Sequence, residues 1–356
     1  MRPNSSPVPA LNSSRPVLGP IALRIGSAIA LGLCLAAPVR AQVLLADVAA
    51  ADRALGVNAP AYHALMEGRV DDATSLLRST LAANPADSTA HQLLCRVYYA
   101  QDDAEAAIHQ CELAVVAAGD DIQASDNQLW LGRAYGMKAR HAGVIGGFSL
   151  ARKVENCFTR AVELNPANVA ALSDLGEYYV AAPSIVGGGG DKARALAARM
   201  MPRFPAAAHQ LLGRLADSEN DPATAETEFK RVIAVQGTLA AWVDLAQFYQ
   251  AHSRPDDALA AIKSGLAADR THGPALVDAA SILTAANRAS DLAERCLRDY
   301  LTSRAESDAA PAFKAHLQLS RLLAARGDQP GADREVAAAA ALAPAFAHSA
   351  RPAQGL

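Results

Sequence analysis

Leu131-Gly132-Arg133-Ala134-Tyr135, answered downstream by Phe158, Ala161 and Pro166, is the stretch that decides the fold. A helix carrying Leu-Gly-x-x-Tyr uses its Gly to admit a second helix at close range, while Leu and Tyr fill the space beside it. The second helix ends on an aromatic, a small residue and a Pro that stops it. The same marks recur on both sides. Ala61, Ala64, Gly68, Ala73, Leu77 and Pro85 carry a first unit, and Leu94, Cys95, Tyr98, Ala107, Cys111 and Ala114 a second. After the opening stretch come Leu175, Gly176, Tyr179 and Ala193, then Leu212, Gly213, Ala225 and Phe229, then Trp242, Leu245, Ala246, Tyr249 and Ala258. A looser seventh holds Ala279, Ala280, Leu283 and Ala293, and an eighth holds Leu319, Leu323, Gly327, Ala332 and Pro344.

This pattern resembles the tetratricopeptide repeat (TPR), a helix-turn-helix unit of about 34 residues. The resemblance implies an all-α right-handed superhelix of about eight units over residues 56–346, with each unit stabilised mainly by its neighbours. Composition agrees: 51% hydrophobic with only 5% aromatic means small side chains packing helix on helix. The anchors Ala193, Ala225, Ala258 and Ala293 stand 32, 33 and 35 residues apart, whereas Ala107 to Val154 spans 47. The excess lies in inserts near 138–150 and 182–191, which stacking brings out on one edge. The first reads as a small lobe with an apolar tip, from which Phe148 to Leu164 makes one long helix. Arg304 to Pro311 reads as a linker, and residues 347–356 as a disordered tail.

Two segments carry a narrower likeness, over about residues 125–215. Gly132-Arg133-Ala134-Tyr135-Gly136 with the Ala151-Arg152-Lys153 helix, and Ala182-Pro183-Ser184-Ile185-Val186-Gly187-Gly188-Gly189, look like a bacterial group of exported TPR proteins of unassigned activity. That likeness implies an exported Gram-negative protein and no reaction. TPRs that clamp a C-terminal carboxylate use Lys and Asn at set groove positions, where this chain has Arg, Gln and Glu.

Residues 1–41 read as a secretory signal peptide: Arg2, Arg15 and Arg24 precede an apolar run from Ile25 to Ala37, and Val39-Arg40-Ala41 supplies the small residues of a cleavage site. Residues 42–55 form an Ala-rich lead-in. The expected location is the periplasm or outside the cell. No later run is long enough to span a bilayer. With 33 basic and 36 acidic residues the formal charge is −3; the leader holds four Arg and no acid, so the remainder stands at −7. That balance lacks the basic field of nucleic-acid binders. Cys95 and Cys111 fall where the two helices of one repeat face each other, so an oxidising compartment would permit a disulfide. Small buried thiols are the favoured reading of these slots.

No H-E-x-x-H, G-x-S-x-G, C-x-x-C, Walker or dinucleotide pattern is present, so no catalytic residue, metal site or cofactor is assigned. His91, His209 and His316 share one slot of their repeats, which argues for packing. Gly187 to Gly190 could offer bare amides to a phosphate; the simpler reading has Asp191 capping a helix that begins at Lys192. An enzyme or phosphate binder at this insert, and an envelope or polysaccharide assembly factor, stay open as alternatives.

The expected site is the inner face. The residue after each Leu-Gly pair points to the groove of a TPR superhelix, and that slot holds Arg96, Arg133, Glu177, Arg214 and Gln247, with Arg321 in the eighth unit. Gln92 and Gln210 lie one turn earlier. Such a row suits an extended or helical peptide. Arg140, Phe148, Arg152, Lys153 and Lys192 form a second contact edge at the inserts. The sequence therefore reads as a non-catalytic scaffold for a protein or peptide partner, with self-association and envelope association open.

Overall fold

The computed structural model describes residues 52–287, 289–303 and 305–349. The expected leader at 1–41, most of the lead-in and residues 350–356 lie outside them. Among the described residues there are seventeen α-helices and no strand, only an isolated bridge between Ser307 and Ala310. A 3-10 turn at Gly56–Asn58 leads into α1 (Ala59–Met66) and α2 (Val70–Ala83), the first pair. The next pairs are α3 (Ser88–Ala100) with α4 (Ala104–Val116), α5 (Asp121–Ala139) with α6 (Val144–Leu164), and α7 (Val169–Ala181) with α8 (Gly190–Met200). Then follow α9 (Pro205–Ser218) with α10 (Pro222–Gln236), α11 (Leu239–Ala251) with α12 (Pro255–Ala268), α13 (Ala275–Ala285) with α14 (Ser290–Leu301), and α15 (Ala312–Ala325) with α16 (Gln329–Leu342). A last short helix, α17 (Pro344–Ser349), caps the end. The expected tail therefore starts as helix: Pro344 opens a further turn where a stop was read.

Starts are set locally. Asp87, Asp103, Asp120, Asn168, Asp221 and Asp328 each accept a hydrogen bond from the amide three residues on, satisfying a donor the helix cannot pair itself. Glycines set the closeness of packing. A Cβ on Gly132 would lie 2.5 Å from the Phe158 ring, so α5 and α6 approach as closely as the sequence pattern requires. The slot-sharing histidines pin the two helices of a repeat together: Nδ1 of His91, His209 and His316 meets Gln110, Glu228 and Glu335, each 19 residues further on, at 2.8, 2.7 and 2.6 Å. First helices of successive repeats also touch one another, as α3 does α5, α5 does α7, and α7 does α9.

The 138–150 insert is not a separate lobe. It lengthens α5 to Ala139 and starts α6 at Val144, four residues before Phe148. Continuing two helices by a turn satisfies their backbone groups internally, which a separate loop could not do as cheaply. Cys95 and Cys111 are disulfide-bonded, with Cα atoms 5.2 Å apart, in place of the favoured reading as free thiols. Helices α3 and α4 face each other at these small residues and bring the sulfurs within reach. Cys157 and Cys296 are free and buried, and burial pushes both thiols up to about 12.

The two ends of the coil meet. Two large cores run along repeats two to five and five to eight, and a third joins Ala61, Leu65, Val70, Leu77, Leu93 and Leu94 to Phe313, Ala339 and Ala343. Phe313 is fully buried, and its ring stands 5.0 Å from Phe346. At the α1–α2 turn, Gly68 adopts φ +77°, and a Cβ there would lie 3.0 Å from the Ala312 amide nitrogen. Polar contacts frame this seam. Lys314 Nζ reaches both carboxylate oxygens of Asp102 at 2.8 Å, Asp71 accepts from the Ala345 amide at 3.1 Å, and Arg96 Nε meets Asp308 at 2.7 Å.

Candidate functional site

Polar side chains of successive repeats meet one another, and Arg96, Arg133 and Arg214 each reach the residue three positions before the equivalent slot of the next repeat. Arg96 lies over the Trp130 ring at 5.1 Å. Arg133 Nε donates to Asp174 at 2.6 Å. Gln210 donates to Asp244 at 2.8 Å, and Arg214 sits between Asp244 at 3.5 Å and Glu177 at 3.2 Å. Gln318 donates to Ser281 at 3.0 Å. Stacked helices thus hold a ladder of polar rungs one repeat apart. This is a preorganised surface, because each side chain is already oriented by its neighbour.

The rungs differ in depth, and here the sequence expectation needs correcting. Arg133 was expected to face an open groove; its side chain is 2% exposed, as is that of Asp174. Trp130 covers it, with the guanidinium 4.7 Å from the ring centre. Burial pushes the Asp174 carboxyl above its usual range, and the Arg133 charge offsets part of that push. Arg133 is therefore a buried rung that holds repeats three and four together. Gln92, Glu177, Gln210, Arg214 and Gln247 are half-buried, and Arg321 is exposed.

Arg96 is a different case. Its side chain is 15% exposed, and its carboxylate partner, Asp308 at 8%, comes from the segment between repeats seven and eight. That segment is not an open linker. Tyr300, fully buried, accepts from the Ser307 amide at 3.1 Å and donates to the Ala310 carbonyl at 2.5 Å, and Ser303 Oγ accepts from the Ala305 amide at 3.2 Å. The turn so formed presents Asp308 to Arg96, between the rings of Tyr62 and Trp130, which stand 5.6 and 5.1 Å from the guanidinium. Arg96, expected at an open groove, is thus met by the chain's own Asp308. Sequence reasoning missed Asp308, Trp130 and Asp174. For Asp174 a signal existed, since Asp244 occupies the same position two repeats later.

At the insert edge, Arg140, Phe148, Arg152, Lys153 and Lys192 are all exposed. Lys192 Nζ contacts Glu155 at 2.9 Å and the Gly187 carbonyl at 2.6 Å, which ties the second insert to α6. Lys153 stands 4.7 Å from the Tyr135 ring centre, and Lys138 pairs with Glu105 at 2.6 Å. The surface is consequently of mixed charge. The glycine run makes a poor anion cradle: the amides of Gly187, Gly188 and Gly189 donate to the carbonyls of Ser184, Pro183 and Tyr179. Glu155 flanks Gly187 and Glu219 flanks Gly190. The next helix begins at Gly190, and Asp191 pairs with Arg194 at 2.9 Å instead of capping it. Among the described residues no cluster of His, Cys, Asp and Glu could hold a metal, and no helix is long and apolar enough to cross a membrane.

The family model of the tetratricopeptide repeat matches residues 64–126, from the end of α1 to the start of α5. A comparison with curated proteins gives no match. Among solved structures, yeast Tom70 is similar at 15% identity and a TM-score of 0.47, over 78% of this chain and 56% of its own. This chain thus spans just over half the length of Tom70. A TPR protein of Thermus thermophilus is similar at 20% identity and a TM-score of 0.36, over 66% of this chain and 92% of its own. One from Parabacteroides merdae is similar at 14% identity and a TM-score of 0.42, over 74% and 99%.

Proposed function

We propose that this chain, in which the tetratricopeptide repeat model matches residues 64–126, is a non-catalytic scaffold that binds one extended or helical polypeptide along its inner face, in the cell envelope. The observation that carries this reading is the ladder: polar side chains of successive repeats meet, Arg133 with Asp174, Arg214 with Glu177 and Asp244, and Gln318 with Ser281. A peptide laid along such a row meets donors and acceptors at regular intervals, with little ordering left to be done on the scaffold side. Arg2, Arg15, Arg24, the apolar run to Ala37 and the Cys95–Cys111 bridge support export to an oxidising compartment.

The test uses the accessible rungs. The chain from Gln42 onward is used as bait in an envelope extract beside a Gln92→Ala, Gln247→Ala, Arg321→Glu variant of equal helicity. The same captured protein, recovered at least fivefold less with the variant, supports the reading. Equal recovery with both overturns it.

A further inference from the structure

Arg96 stands apart in the ladder because the position that holds Asp174 and Asp244 in later repeats holds an aromatic ring, Trp130, in the repeat that follows it. Arg133 finds Asp174 and Arg214 finds Asp244 on the neighbouring helix, so those pairs are fixed parts of the stack. The acid that serves Arg96 arrives from 212 residues away, on the Ala305–Ala310 turn. Resting on the scaffold reading above, we propose that this turn is an internal stand-in for the partner. The partner then carries an acidic side chain in a segment of small residues, and it displaces Asp308 from Arg96 when it binds.

Three observations support the exchange. The pocket suits a carboxylate: the Arg96 guanidinium lies over the rings of Tyr62 and Trp130, and Asp308 meets its Nε at 2.7 Å. The occupant is the tight turn Ser307–Ala310, in which Asp308 stands between Ser307 and Ala309, so what is recognised is one charge among small side chains. The occupant is also separable from the stack, because Tyr300 and Ser303 hold the turn from the repeat-seven side while Arg96 belongs to repeat two. Asp126, the other carboxylate near Arg96, is held by Asn168 at 2.9 Å and burial pushes it up, so it is a poor replacement. A tethered occupant competes at an effective concentration of roughly millimolar, so a weak acidic segment is excluded until the tether's charge is removed.

The experiment titrates a synthetic peptide spanning Ser303–Pro311 into the full chain, following the fluorescence of Trp130 in a Trp242→Phe background. Wild type, Asp308→Ala and Asp308→Asn are compared, the last keeping the shape of the turn. Affinity at least tenfold higher for both variants than for wild type is expected. It should be lost when the peptide's Asp is replaced by Asn, or when Arg96→Gln is added. Equal affinity for all three chains, or none for any, overturns the proposal. Such a failure leaves the scaffold reading to the capture experiment, which does not involve Arg96 or Asp308.

Discussion

At the scale of single residues, the pair Arg133–Asp174 shows why a polar ladder is an exacting way to join repeats. Both charges are out of water, so their attraction mainly offsets desolvation, and removing one partner leaves the other stranded. Asp174→Ala should therefore cost about 3–5 kcal/mol in urea unfolding. The double change Arg133→Met, Asp174→Leu should recover most of it, and a double variant no more stable than the single one would refute the pairing. Gly132 makes a sharper steric case. Gly132→Ala forces a Cβ against Phe158 and should cost about 1–3 kcal/mol, readable as a lower urea midpoint. Gly132 and Phe158 were legible in the sequence because their meaning is local: a small residue on one helix, a ring on the next. The depth of Arg133 was not, because the slot rule fixes direction and says nothing of a Trp and an Asp arriving from elsewhere to cover it.

At the scale of elements, the disulfide and the lengthened third repeat carry the argument. Cys95 and Cys111 tie α3 to α4 across a separation of 16 residues. Reduction should lower stability by about 3 kcal/mol, and thiol counting on unfolded, unreduced protein should find two free thiols among these four cysteines. Four thiols would contradict the bridge. Spacing alone could place the two cysteines face to face but could not decide their oxidation state. In the third repeat, helical periodicity in Leu150, Val154, Cys157 and Ala161 marked α6 correctly from Phe148 onward. Two glycines, Gly146 and Gly147, concealed its first turn, since Gly reads as a breaker even where a helix has already begun.

At the scale of the whole molecule, the closure of repeat eight on repeat one could not be read from the sequence. Its contacts join residues more than 200 positions apart, and no local pattern announces them; Asp308 sat in what read as a linker. The seam has a pH dependence of known sign. Burial, and then the charge of Glu67, raise the Glu306 carboxyl above its usual range. A raised acid stabilises below its unfolded value and loses that contribution as pH rises through the folded value, so the seam is under strain at neutral pH. Glu306→Gln should accordingly raise the melting temperature at pH 7 and leave it unchanged at pH 3; a fall at pH 7 would contradict this.

The closed coil, with the chain's own acid shut onto Arg96, is tested most directly by zero-length carbodiimide coupling followed by peptide mass mapping. Lys314 Nζ lies 2.8 Å from the Asp102 carboxylate, and both side chains are accessible to reagent. The account predicts a Lys314–Asp102 amide in the monomer band. No such link, or one confined to covalent dimers, would contradict it.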